Sequence, residues 1–395
     1  VCLVLRRSLT KAGYAVVPVP GPSALAAARE ETYDTLNRIV PIERELFMKR
    51  TEDRTATYAE VASHLTNEQG AAIERLNLPG VALYRDQWRY YPGDALAAHT
   101  IGFIGYDGDV LAGRYGLERY YEYALARTGD NLAVNFFAEL FSNIRNGVFA
   151  EDTVQAGDIV TSLEPTVSRI LEDELGAVEA KWNSTLTGGI ILNPKTGTVY
   201  ALGLAPGFDL NDRSGAGIEQ FRNQLVEGVY EMGSIIKPLT MAAGLDAGVI
   251  MPSSTYYDAG YLELDGYTIK NFDGKGRGTV PMQEILSQSL NTGAAFIAGQ
   301  LGASRFSEYF KKLGLGSETG IDLPNEAHGL IANLESPRML EHATASFGQG
   351  IAMTPIETAR ALSTLANGGV LVTPHIGQKI LYTSGGEQDI AFPDD

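Results

Sequence analysis

The chain has 395 residues, with 31 Lys+Arg against 48 Asp+Glu and a net charge of −17. That length suits two domains, and in the absence of a basic stripe the charge opposes a nucleic-acid partner. A single cysteine, Cys2, excludes an intrachain disulfide framework and a cysteine-based zinc site, and the five histidines (64, 99, 328, 342 and 375) lack paired ligand spacing, so no metal or cofactor is expected.

Hydrophobic residues at 44% and charged residues at 20% are the composition of a folded globular protein. No window approaches the ~18 consecutive apolar residues of a membrane span, and the run Cys2-Leu3-Val4-Leu5 is cut short by Arg6-Arg7. The chain begins with Val1 rather than Met, which leaves room for an anchor or signal ahead of it.

Residues 1–30 read as a segment apart. Gly13 to Val17 is strand-like, Pro20-Gly21-Pro22 is a turn, and an Ala-rich helix follows from Ser23. This stretch resembles a short piece of the tetrapyrrole-methylase-type RNA methyltransferases, but about thirty residues cannot form a cofactor-binding domain, and we read it as a fusion scar or a chance likeness.

From residue 31 to 156 we expect one domain of mixed helix and strand, with a polar helix near Tyr58 to Leu76, a turn at Leu78-Pro79-Gly80 and aromatic-rich strands beyond. A second domain, residues 157–395, opens with a short strand at Asp158 to Leu163 and a long amphipathic helix from Thr166 to Trp182. A β-hairpin follows, Gly189 to Leu192 and Thr198 to Leu202 around the turn Asn193-Pro194-Lys195-Thr196-Gly197. A helix-rich region then runs to about residue 367, where Asn367-Gly368-Gly369 breaks the chain before a strand-like Val370-Leu371-Val372.

Chemistry concentrates in Ser234-Ile235-Ile236-Lys237-Pro238. A serine and a lysine three apart on a helix share a side, and Pro238 places the pair in the first turn, where a missing N–H costs nothing. Backbone N–H groups there favour developing negative charge, and a desolvated lysine can serve as the base that activates the hydroxyl. Ser-x-x-Lys arises by chance about once in a chain of this length at average usage, and Ser8-Leu9-Thr10-Lys11 is a second match. Only Ser234 is followed by an Ala-rich helix ending at a Gly248 cap, so Ser8 reads as surface.

Further along comes Ser289-Leu290-Asn291, between a helix ending near Ser287 and another built on Gly293-Ala294-Ala295-Phe296. Alone, this triplet reads as a helix cap. Together, Ser-x-x-Lys and then Ser-x-Asn resemble the ordered signature of penicillin-binding proteins and serine β-lactamases. Arg89-Tyr90-Tyr91-Pro92, His99 to Gly105, Tyr115-Gly116-Leu117-Glu118, Arg222-Asn223, Gly348-Gln349-Gly350 and Thr354-Pro355 extend the likeness, over about residues 35 to 380, to class B penicillin-binding proteins.

The resemblance implies an α+β, mixed architecture: an elongated N-terminal pedestal (dimerisation-type) domain, and a penicillin-binding/β-lactamase-like transpeptidase domain with helices around an antiparallel sheet. It implies a serine D,D-transpeptidase at the extracytoplasmic face of the bacterial cytoplasmic membrane, acting on peptidoglycan stem peptides and acylated by β-lactams. Ser234 would be the nucleophile, Lys237 the base, Ser289 a proton relay, and Asn291 would orient Lys237 and the substrate amide. A membrane glycosyltransferase and division or elongation proteins are the implied partners.

Two departures stand out. Met232 occupies a position where the family usually has Pro, and no Lys-Thr-Gly follows Asn367. The triplet Lys195-Thr196-Gly197 precedes Ser234 and lies in a hairpin turn, so we do not take it as catalytic. We expect a chain that stops before the third motif, with an incomplete sheet, uncovered apolar surface and weak or absent activity of its own. A serine β-lactamase would lack the Arg-Tyr-Tyr-Pro-bearing N-terminal domain. A non-catalytic scaffold retaining the fold is the other alternative, against which the four motif residues argue.

Overall fold

The structure is a computed structural model and describes residues 3–5, 10–18, 26–52, 60–107, 110–125 and 156–393. Ser8 and the Pro20-Gly21-Pro22 turn lie outside them. Two compact units emerge: residues 7–92, and residues 93–395 together with 1–6.

In the smaller unit, the strand Thr10–Pro18 is the middle of a three-stranded antiparallel sheet, flanked by Ala62–Leu65 and Val81–Arg89. Its register with the latter runs from Thr10 opposite Arg89 to Pro18 opposite Val81. Residues that read as a segment apart are thus built into this sheet. Of the helix expected near Tyr58 to Leu76, the part before residue 60 lies outside the described residues, and the helix spans Asn67–Leu76. Thr66 and Gln69 form a reciprocal capping box at that point, and Ala62–Leu65 ahead of it is committed to the sheet. Leu36, Phe47, Leu65 and Ile73 form the unit's core.

The larger unit carries a four-stranded antiparallel sheet in the order Val4–Leu5, Gly157–Thr161, Gly377–Tyr382, Glu387–Asp389. The hairpin Thr187–Leu192 and Val199–Ala205 adjoins it through Val199 N–H to the His375 carbonyl at 2.9 Å. The helix Pro165–Trp182 lies across this hairpin where glycines leave room: a Cβ on Gly189 would come within 2.8 Å of Leu171 Cδ1. Ile170, Trp182 and Ile191 stay exposed along this layer.

Val370 to Val372 joins no ladder, and the strand starts at Gly377. Competing partners explain this. The Asn367 carboxamide accepts from Val370 N–H at 2.9 Å and donates to its carbonyl at 2.8 Å, and Arg360 Nε donates to the Val372 carbonyl at 3.0 Å.

The second core is helical. Lys237–Asp246 and Asn291–Leu301 meet closely at Gly244, where an added Cβ would lie 2.6 Å from Ile297 Cγ2. Ile236, Leu239, Ile285, Ile297, Phe306 and Phe310 are fully buried around that contact, each contributing roughly 1.5–3 kcal/mol on transfer from water. This packing fixes the two helix starts that carry Lys237 and Asn291.

Candidate active site

Ser234 lies in a 3₁₀ turn, Gly233–Ile236, that feeds directly into the α-helix Lys237–Asp246 with Pro238 in its first turn. The turn is held from outside. Tyr230 and Met353 exchange backbone hydrogen bonds at 2.9 Å, Gly350 N–H donates to Glu231 Oε1 at 2.7 Å, and Gly233 N–H donates to the Gly348 carbonyl at 3.2 Å. Gly348 has φ +77°, and a Cβ there would come within 2.3 Å of the Gly233 carbonyl oxygen. Only glycine lets these two segments approach so closely.

Ser234 is exposed and Lys237 is buried at 2% exposure. Lys237 Nζ donates to Ser234 Oγ at 3.0 Å, to the Ser289 carbonyl at 2.6 Å and to Ser289 Oγ at 2.9 Å, while Ser289 Oγ donates to Ser234 Oγ at 2.8 Å. Burial pushes the Lys237 pKa down from 10.5 to about 8. A neutral amine donates two hydrogen bonds and keeps one lone pair. With the Ser289 oxygens accepting both protons, that lone pair is directed to Ser234 Oγ.

Ser289 reaches this position through an uncommon backbone, φ +52°. The left-handed turn brings its carbonyl and hydroxyl to the same lysine. Asn291 sits at the start of the helix Asn291–Leu301, and its Nδ2 donates to the Lys270 carbonyl at 2.9 Å. Lys237's own hydrogen bonds go to the two serines. A groove of about 400 Å³ opens beside Asn291, lined among others by Tyr267, Lys270, Asn333, Glu341 and Gln349. Glu341 Oε2 is buried there without a hydrogen-bond partner.

Lys195 and Thr196 occupy the hairpin turn, where the Thr196 hydroxyl pairs with Thr198 Oγ1 at 2.8 Å. The sequence reading missed Glu231 and the Lys270 carbonyl, which carry no motif. Among the described residues no group of His, Cys, Asp or Glu is arranged to hold a metal ion, and no helix is long and apolar enough to cross a membrane.

This combination of a mixed helix-and-sheet fold with serine and lysine at a helix start defines a recognisable class. The penicillin binding protein transpeptidase domain matches residues 187–391, and the penicillin-binding protein dimerisation domain matches residues 10–131. The chain belongs to the class B penicillin-binding proteins. It is 32% identical over 319 residues to stage V sporulation protein D of Bacillus subtilis, covering 80% of this chain and 49% of that protein. It is 31% identical over 340 residues to the peptidoglycan D,D-transpeptidase MrdA of Acinetobacter baumannii, covering 76% of this chain and 49% of that one. The chain spans about half the length of these relatives. Penicillin binding protein 3 of Mycobacterium tuberculosis, solved in complex with aztreonam, is similar with a TM-score of 0.67 and 25% identity, over 78% of this chain and 65% of that one. Penicillin binding protein 2X of Streptococcus thermophilus shares the fold, with a TM-score of 0.66 over 97% of this chain and 61% of that one.

Proposed function

We propose that the protein is a serine D,D-transpeptidase that cross-links peptidoglycan and is acylated by penicillins at Ser234. The observation that carries this reading is the triangle of Ser234 Oγ, Lys237 Nζ and Ser289 Oγ, with sides of 3.0, 2.9 and 2.8 Å. Neutral Lys237 takes the proton of Ser234 as its oxygen attacks the penultimate carbonyl of a D-Ala-D-Ala-ending stem peptide. The tetrahedral intermediate collapses to the acyl-enzyme, and the D-alanine amine leaves with a proton relayed through Ser289. An amine of a neighbouring strand then attacks the ester, restoring Ser234. Ser234 N–H supplies one oxyanion donor at the turn. The groove beside Asn291 offers room for the peptide, with Asn291 orienting its amide.

By the same resemblance the protein works at the extracytoplasmic face of the cytoplasmic membrane, beside a membrane glycosyltransferase and division or elongation proteins. The test is incubation with a fluorescent penicillin, followed by mass-spectrometric location of the adduct. Label on the Ser234 peptide supports the reading, and its absence favours a scaffold.

A further inference from the structure

Beneath the Ser289-Leu290-Asn291 turn lies a buried polar cluster that no motif of the sequence announces. Asp258, at 1% exposure, ends the strand Thr255–Asp258; Asn271, at 4%, follows the strand Tyr267–Lys270; Thr292, at 6%, is the second residue of the helix Asn291–Leu301. Asp258 Oδ1 accepts from Thr292 Oγ1 at 2.8 Å, from Asn271 Nδ2 at 3.0 Å and from Gly260 N–H at 2.9 Å. Its Oδ2 accepts from Asn271 Nδ2 at 3.0 Å and Arg277 N–H at 3.1 Å. Asn271 Oδ1 in turn accepts from Thr292 N–H at 3.2 Å.

The last contact matters because Leu290, the residue at the helix N-cap, has no side chain able to cap it. Asn271 supplies the missing acceptor from a neighbouring segment. The residue before Asn271 accepts from Asn291 Nδ2 through its carbonyl. Lys270 and Asn271 therefore hold two successive residues of the helix start, and Asp258 holds Asn271. Upstream, Ser289 has left-handed φ, a conformation that costs a non-glycine residue energy and persists only where its surroundings enforce it.

We infer that Asp258, Asn271 and Thr292 are positioning residues for acylation, clamping the helix start so that Ser289 keeps both oxygens on Lys237. None of them touches the reacting atoms. The inference rests on the acyl-enzyme reading above and adds to it a requirement at a distance: loss of the Thr292 hydroxyl slows bond formation without weakening the encounter with penicillin.

The test compares the purified chain with Thr292→Val, which keeps the shape and loses the hydroxyl, and Thr292→Ser, which keeps the hydroxyl. Stopped-flow acylation by a fluorescent penicillin separates the first-order acylation constant from the dissociation constant of the non-covalent complex, while burst amplitude counts the folded fraction. The expected result is an acylation constant about tenfold or more lower in Thr292→Val at unchanged dissociation constant, and restored in Thr292→Ser. A loss confined to amplitude or Tm, with the acylation constant intact, would overturn the inference and leave the acyl-enzyme reading standing. Absence of any Ser234 adduct in the parent chain would remove that reading and the inference with it. Where Thr292→Val does not fold, Thr292→Cys, with its weakly donating thiol, provides the same comparison.

Discussion

Lys237 Nζ donates to both oxygens of Ser289, the carbonyl at 2.6 Å and the hydroxyl at 2.9 Å. Holding two of the amine's protons leaves the remaining valence to Ser234, so the lysine can donate there when charged and accept there when neutral. Which of the two it does depends on pH.

With the Lys237 pKa lowered to about 8, roughly a tenth of the chains carry the neutral amine at pH 7. Only that form takes the Ser234 proton, so acylation rises with pH through about 8 and then levels. Penicillin acylation rates measured from pH 6 to 9.5 test this. A rate independent of pH would remove Lys237 as base.

Removing the Ser289 hydroxyl breaks the triangle, and Ser289→Ala is expected to lower acylation by about 10²-fold. Ser289→Gly also lacks the hydroxyl but suits φ +52°, so it should be more stable than Ser289→Ala by about 1 kcal/mol. Chemical denaturation of the two variants measures the backbone cost apart from the chemistry.

Gly244→Ala places a methyl 2.6 Å from Ile297 Cγ2 and wedges the helices that carry Lys237 and Asn291. Destabilisation of about 1–3 kcal/mol is expected. Adding Ile297→Ala should recover part of it, so the double variant is less destabilised than the sum of the singles. Strict additivity in denaturant titrations would contradict close packing here.

Burial raises the Glu172 pKa from 4.5 to about 7, against the lowering effect of the Ala97 N–H that it accepts at 2.9 Å. Between pH 4.5 and 7 the folded chain holds a proton that the unfolded chain has lost, so this group's contribution to stability declines as pH rises through 7. Glu172→Gln keeps an acceptor for Ala97 and removes the charge. Its stability relative to the parent should be near neutral at pH 4.5 and favourable by on the order of 1–2 kcal/mol at pH 8, read from Tm at the two pH values.

Much of the site was legible because its chemistry is written in side chains at fixed spacing. Ser234 and Lys237 meet as the i,i+3 relation requires, and Ser289 arrives beside them. What spacing could not reveal is the left-handed backbone at Ser289, or that Asn291 donates to a main-chain carbonyl, since a carbonyl has no residue identity. The same limit hid Asp258 and Asn271, whose roles come from burial and partners. In the fold, the long helix ending at Trp182 and the hairpin followed from periodicity and turn residues. The Val370 to Val372 segment reads as strand by composition, yet the Asn367 and Arg360 side chains take its backbone groups. Local competition of that kind leaves no periodic trace.

The central claim is a covalent bond from Ser234 to an acyl donor. Parent and Ser234→Ala chains incubated with a fluorescent penicillin at pH 8, digested and analysed by mass spectrometry, test it most directly. The account predicts an adduct on the peptide containing Ser234 in the parent and none in the variant; equal labelling of both, or an adduct confined to another residue, would contradict it.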